Sequence, residues 1–286
     1  MRVIVSTGYE IGLEVSEAEP LAPGAGQVSI DVRAIGVGRV DLIMRQMMPM
    51  AFVPGIEAAG IVSAVGPGAD PQWLGRRVLA RGQGGAYAEQ IVVSSDVLVA
   101  LPGALSFEAA VATGMNGLVA HFCLAKAQVA PGDRVVVRGA RGGIGHLAVQ
   151  MAKRLEADVV EPERNDAPSP ADVVVDLVAG PDTAAYVEQL HANGRYVIAG
   201  IAAGLPPADL AGSLLADFKR SRSVATLSLD TIGNVDLNHA AQQMLAEVAA
   251  GTIRPLVAMV LPLEEADQAH RLLAKGGISG KILLVP

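Results

Sequence analysis

The run PGDRVVVRGARGGIGHLAVQMAKRL, residues 131–155, constrains the fold more than any other stretch. Three β-branched residues, Val135, Val136 and Val137, enter a turn that holds Gly139, Gly142, Gly143 and Gly145. A helix leaves that turn with Ile144, Leu147, Ala148, Met151 and Leu155 on one face at helical spacing. Strand, turn and helix in this order open a βαβ unit, and such units stack into a parallel sheet. The alternation goes on through Val159-Val160, "ADVVVDLVAG", the predicted helix "PDTAAYVEQLHANG" and the strand "RYVIAGI". Beyond it, "SVATLSL" reads as a strand. "NHAAQQMLAEVAAG" reads as a helix with Ala241, Met244, Leu245 and Val248 on one face, capped by Gly251.

The glycine turn carries a chemical implication. A turn between strand and helix needs positive φ, close approach by a ligand and close helix packing, and glycine serves all three. The N–H groups of the helix start then face a pyrophosphate, which the helix dipole favours. Gly139, Ala140, Arg141, Gly142, Gly143 and Ile144 are the cofactor-binding candidates, joined by Gly200 at the end of "RYVIAGI".

Between Val160 and Val173 the sequence has no room for a helix, only the charged, Pro-rich connector "EPERNDAPSPAD". A doubly wound sheet in the order 3-2-1-4-5-6 places strand 4 about 10 Å from strand 2. Pro162 to Ala171 can span about 33 Å when extended, so a direct link from strand 2 to strand 4 is expected. Strand 2 then becomes an edge, blunted by Pro162, Pro168 and Pro170. Near its end stand Glu161, Glu163 and Arg164. A carboxylate there suits a ribose diol, whereas Arg164 or Arg141 suits a 2′-phosphate. The choice between NADH and NADPH stays open at this level.

The first hundred residues read as a small, curled antiparallel unit. "GQVSIDVRAIGV", "AAGIVSAVG", "RRVLARG" and "AYAEQIVV" are β-rich runs punctuated closely by Gly and Pro. From Ser106, "SFEAAVATGMNGLVAHFCLAKAQ" turns to helix, and the last segment adds a helix and the strand "KILLVP". A net charge of −7 without a basic stripe argues against nucleic acid as partner. The lone Cys123 rules out an internal disulfide and a multi-cysteine zinc site. No apolar run reaches the roughly 18–20 residues that span a bilayer, and the N-terminus lacks an apolar signal core. A cytoplasmic protein without membrane contact is the expectation.

Five motifs in order, "VPGIEAAGIVSAVGPGAD", "GGAYAEQIVV", the glycine-turn run, "GRYVIAGI" and "GISGKILLVP", resemble the zinc-independent medium-chain dehydrogenase/reductases. Within them the chain is most similar to the quinone oxidoreductase (zeta-crystallin-like) and enoyl reductase branch. The resemblance implies an α/β fold: a GroES-like substrate domain (1–105 and 255–286) and an inserted, shortened Rossmann domain (106–254), with the nicotinamide site in the cleft. It also implies a homodimer, NADPH or NADH as cofactor and a small-molecule substrate.

Zinc-dependent relatives carry a ligand His where this chain has Ile56. His121, His146, His191, His239 and His270 are scattered without metal-ligand spacing, so no metal is expected. Several family positions differ here. The cleft Asn is Gly38, a Tyr is Ile43, and the Thr at the nicotinamide end is Val119. The Lys and Tyr that hold the 2′-phosphate fall in the missing segment. Asp41, Asn116 and His121 are the remaining catalytic candidates, Asp41 more to order the cleft than to give a proton. Tyr87 and Glu89 match the family's "YAE" as structural residues. Two functions follow: hydride transfer to a quinone or α,β-unsaturated carbonyl, or a redox-silent descendant that cyclises an intermediate or only binds.

Overall fold

A computed structural model gives the fold and describes residues 1–8 and 12–286. The chain divides into two units, one of Met1–Met115 with Gly233–Pro286 and the other of Asn116–Ile232. The boundaries fall at 115/116 and 232/233, where the sequence suggested 105/106 and 254/255.

The first unit opens with a hairpin of β1 (Arg2–Ser6) and β2 (Leu13–Glu17). Then come β3 (Gln27–Val37), helix α1 (Arg39–Met47), β4 (Glu57–Val65), β5 (Arg77–Arg81), β6 (Gln90–Ser94) and β7 (Leu98–Ala100). Helix α2 (Phe107–Lys126) follows, with Ser106 Oγ accepting the Ala109 N–H at 3.1 Å in the manner of an N-cap.

The second unit is a five-stranded sheet. It holds β8 (Arg134–Arg138), α3 (Gly143–Arg154), β9 (Asp158–Val160), β10 (Ala171–Asp176), α4 (Thr183–Glu188), β11 (Leu190–Ile198), α5 (Leu210–Leu215) and β12 (Ser223–Thr226). Every pairing is parallel, in the order β12-β11-β10-β8-β9. Strands β9 and β10 lie on opposite sides of β8, so the connector crosses from one flank to the other, as its length allows. The sheet stops at β9, a three-residue edge.

Alternation along the strands divides the core of this unit. Val136, Val174, Tyr196 and Ile198 pack with Tyr186, Val187 and Leu190. On α3, Leu147, Ala148 and Met151 are buried as predicted. Leu155 differs: it lies past the last helical turn as the C-cap and is exposed. Helix α4 is also shorter than predicted, because the chain from Leu190 onward already pairs with β10.

The chain returns to the first unit through α6 (Asn234–Ala249), β13 (Val257–Pro262), α7 (Ala266–Lys275) and β14 (Lys281–Val285). Its large sheet runs β13-β14-β3-β4-β5-β7, with β6 also on β3, and is antiparallel except for β13 against β14. Strand β3 is long enough to take two partners along one edge, β6 at its start and β14 at its end. Its double-sided burial makes it the spine of a core that includes Val28, Ile30, Val32, Ile35, Tyr87 and Leu284. Strand β13 went unpredicted, since "LVAMVLP" sits between prolines and shows no alternation.

Candidate functional site

Two groups of polar residues stand out, one in each unit. In the second unit, β8 ends at Arg138 and the turn begins at Gly139, whose φ of +83° only glycine adopts without strain. Helix α3 starts at Gly143 with Gly142 as its N-cap, and no side chain caps its first turn. The N–H groups of that turn have no partner within the helix, so they form an anion-binding end beside the turn. A Cβ on Gly145 would lie 2.2 Å from the Gly139 carbonyl oxygen, so this glycine lets helix and turn pack closely. At Gly142 the same atom would stand off at 3.3 Å. The Gly142 N–H closes the turn by donating to the Gly139 carbonyl at 3.0 Å. That leaves the N–H groups of Gly143 and Ile144 at the helix start as the ones that fit a pyrophosphate, and Ala140 is buried.

The turn is anchored by the residue before it. Arg138 Nη1 donates to Asp176 Oδ2 at 2.8 Å and to the Tyr196 hydroxyl at 3.2 Å, while Nη2 reaches Asp182 Oδ2 at 2.7 Å. The guanidinium also lies over the Tyr186 ring, 4.1 Å from its centroid. Asp176 is fully buried, and its other oxygen accepts the N–H groups of Val178 and Ala179. Strand ends β8 and β10 are thereby tied together. Gly200 follows β11, and a Cβ there would lie 2.4 Å from the Leu177 carbonyl oxygen, so it too allows close backbone packing.

Of the connector residues, Glu163 pairs with Arg141 of the glycine turn, and Glu161 pairs with Lys153 at 2.9 Å. Glu163 and Arg164 are exposed. Asn116 and His121 both lie on α2. Five residues of helix turn them about 140° apart, so they do not share a face. Asn116 is buried, and His121 is half-buried with its ring edge-on to Phe122.

The first unit buries a connected polar chain. Asp41 occupies the first turn of α1, where its Oδ2 accepts the Gly38 N–H at 2.8 Å, half of a capping box. The same oxygen accepts the Tyr87 hydroxyl at 3.0 Å. Tyr87 Oη lies 3.0 Å from His270 Nε2, and His270 Nδ1 lies 3.2 Å from Arg45 Nη1. Arg45 donates further to Ser6 Oγ. Asp41 Oδ1 is buried with no hydrogen-bond partner among the described residues.

Burial pushes the Asp41 carboxyl up to about 6, against the pull of the Gly38 N–H and Lys281. Burial, with Arg45 adding to it, pushes His270 down to about 4. Nearby, buried Glu57 accepts from Lys281 Nζ through one oxygen and from the Met115 N–H through the other. Gly36 and Gly114 make room for this carboxylate, since a Cβ on either would come within 2.7 Å of it.

Arg45 matches the family's cleft pattern beside Asp41, whereas Tyr87, His270, Glu57 and Lys281 were not among the predicted site residues. Tyr87 was legible only as part of "YAE", and no spacing links residues so far apart in the chain. Glu89, the other end of that motif, accepts the Arg2 backbone N–H and guanidinium. Among the described residues, no group of three His, Cys, Asp or Glu side chains could hold a metal ion. No described helix is long and apolar enough to cross a membrane.

Two family models match this chain: the alcohol dehydrogenase GroES-like domain over residues 24–103, and a zinc-binding dehydrogenase model over residues 148–284. Quinone oxidoreductase 1 of Escherichia coli is 28% identical, covering 96% of this chain and 95% of that protein. The chain belongs to the medium-chain dehydrogenase/reductase family, in its quinone-oxidoreductase branch.

The synaptic vesicle membrane protein VAT-1 homolog of Rattus norvegicus is 29% identical over 340 residues, covering all of this chain and 84% of that protein. This dehydrogenase/reductase has only 286 residues, so the relative carries segments absent here. The crystal structure of E. coli quinone oxidoreductase complexed with NADPH superposes with a TM-score of 0.91 at 27% identity, covering both chains fully. The missing third strand therefore leaves the family fold in place.

Proposed function

We propose that this chain is an NAD(P)H-dependent reductase of a quinone or an α,β-unsaturated carbonyl, acting in the cytoplasm as a homodimer and without a metal ion. The observation that carries the reading is the uncapped first turn of α3 directly behind the Gly139 turn. The relatives named quinone oxidoreductase, and the relative solved with NADPH, support it.

A nicotinamide cofactor, when bound, would supply the hydride for the electrophilic carbon of the substrate. The N–H groups of Gly143 and Ile144 would hold the pyrophosphate, while the Gly142 N–H closes the turn on the Gly139 carbonyl. Gly145 keeps the helix close, and the Arg138–Asp176 pair fixes the strand end from which the turn springs. Asn116 and His121 lie about 140° apart on α2, so they do not act together, and only one of them is proposed to meet the substrate oxygen. Asp41 orders the start of α1: buried and already accepting two hydrogen bonds through one oxygen, it is a fixed acceptor. Ile56 offers no ligand atom, and the neighbouring Glu57 carboxylate is engaged by Lys281, which supports a metal-free reaction.

A redox-silent protein has no use for an intact anion-binding turn, so that alternative is not retained. Titration with NADH and NADPH, followed by nicotinamide fluorescence, tests the reading. Saturable binding at micromolar cofactor is expected, and no binding at millimolar cofactor overturns it. Gly142→Val should abolish binding by filling the phosphate approach. For the homodimer, we propose that edge strand β12 pairs with its copy, and light scattering that returns a monomer mass refutes it.

A further inference from the structure

We propose that the substrate carries a hydrocarbon chain, which lies along an apolar stripe on α1. The inference rests on the reductase reading above and names its class of substrate, a quinone or enone with an alkyl tail.

Helix α1 is built inside out. Its buried residues are Asp41, Leu42 and Arg45, two of them charged and held in the polar chain that joins Ser6 to Asp41. The other side carries Val40, Ile43, Met44 and Met47, at the i, i+3, i+4, i+7 spacing of one helix face. These four fall within about 100° of arc, and the three buried residues within about 100° on the far side. Val40 and Met47 are exposed, and Ile43 and Met44 are half-buried. Past the helix end the stripe goes on through the exposed side chains of Met48 and Met50. Among the nine methionines, the exposed ones are Met47, Met48 and Met50, all in this one stretch. Single exposed apolar residues are ordinary, whereas a contiguous run marks a surface of contact.

A substrate tail is the occupant that fits. The stripe starts beside Gly38 and includes Ile43, the two positions of α1 and its cap where the family pattern has polar cleft residues. At Gly38 φ is −126°, which any residue adopts. A Cβ there would meet Val40 Cγ1, Asp41 Oδ2 and Lys281 Nζ at 3.5 to 3.9 Å, which are ordinary contacts. Backbone geometry therefore does not demand glycine, and its choice leaves a side-chain-sized space between Val40 and the Lys281 ammonium. A carbonyl oxygen suits the ammonium end, and an alkyl chain suits the methionine end. From Val40 to Met47 the stripe runs about 10 Å. Methionine is unbranched and polarisable, so it moulds itself to a flexible apolar chain. A membrane surface fits less well, because anionic lipids attract basic clusters and this chain has a net charge of −7.

The test is isothermal titration of the full chain with two benzoquinones that differ only in a methyl or a decyl substituent, alongside their reduction by NADH and NADPH. A fully buried methylene is worth about fourfold in affinity and a half-buried one about twofold, so the decyl compound should bind at least about thirtyfold tighter. Met47→Ser combined with Met50→Ser, both at exposed positions, should unfold like the parent and bring the two affinities within about threefold of each other. Val235→Ser, which removes an exposed apolar residue from α6 instead, should leave the difference intact. Equal affinity for the two quinones overturns the proposal and leaves the reductase standing. A decyl preference that survives in the double variant overturns it too, since the tail then lies elsewhere. Sedimentation with phosphatidylcholine vesicles that is lost in the double variant assigns the stripe to a membrane and likewise overturns it. If neither quinone is reduced, the reductase reading falls and takes the substrate assignment with it.

Discussion

Arg45 Nη1 lies 3.2 Å from His270 Nδ1, and this contact sets the direction of every hydrogen bond from there to Asp41. A guanidinium can only donate, so His270 Nδ1 is the acceptor and its proton sits on Nε2. Nε2–H then donates to Tyr87 Oη, and the Tyr87 hydroxyl is left to donate to Asp41 Oδ2. Asp41 receives at the end of the line. Replacing Arg45 with Met should release His270, whose pKa then rises from about 4 towards the usual histidine range. A titration of the imidazole resonances by NMR checks this, and an unchanged value refutes it.

The two shifted groups act on stability with opposite signs. Asp41 has a folded pKa of about 6, above its unfolded value of 3.8, so the folded state binds its proton more tightly. Its contribution is present below pH 3.8 and lost as pH rises through 6. Gly38, Lys281, Tyr87 and Glu57 face this group. His270, facing Arg45, Asp267 and Tyr87, has a folded pKa of about 4 against 6.5 unfolded. Its contribution is lost as pH falls from 6.5 to 4. Asp41→Asn should therefore gain stability relative to the parent between pH 4 and pH 6, by up to about 3 kcal/mol. Urea unfolding across that range is the measurement, and a flat difference sinks the prediction.

Gly142 and Gly145 should separate binding from folding. Gly145→Ala forces a methyl group into the Gly139 carbonyl and should cost about 1–3 kcal/mol or more in thermal unfolding. Gly142→Ala meets that oxygen only at 3.3 Å. It should unfold close to the parent while losing dinucleotide affinity.

Arg138→Met leaves Asp176 buried without its cation. The expected cost is about 3–5 kcal/mol in chemical unfolding, with weaker dinucleotide binding in the molecules that remain folded. A variant as stable as the parent would show that Tyr196 and the backbone amides suffice for Asp176.

Lys281→Met strands the Glu57 carboxylate and should cost about as much, roughly 3–5 kcal/mol. Adding Glu57→Gln should recover part of that loss, because the buried charge is then gone. A double-mutant cycle that comes out additive would deny the coupling.

The sequence by itself determined the elements around the glycine turn and the link from β9 to β10. Both follow from local rules: strand and helix periods, turn chemistry and the reach of ten residues. It also singled out Asp41 and the helix start at 143–144, though not the closing of the turn by the Gly142 N–H on the Gly139 carbonyl. Only the tertiary structure joined Asp41 to Tyr87 and His270, or Glu57 to Lys281, since residues 46, 183 or 224 apart in the chain obey no spacing rule. Strand β13 was likewise decided by its partner, because its pairing with β14, and not its own pattern, makes it a strand. Helix α4 ended early for the same reason, as pairing with β10 claimed the chain from Leu190. Periodicity belongs to a segment, whereas a buried ion pair or a strand pairing belongs to two, and the fold alone brings the second one near.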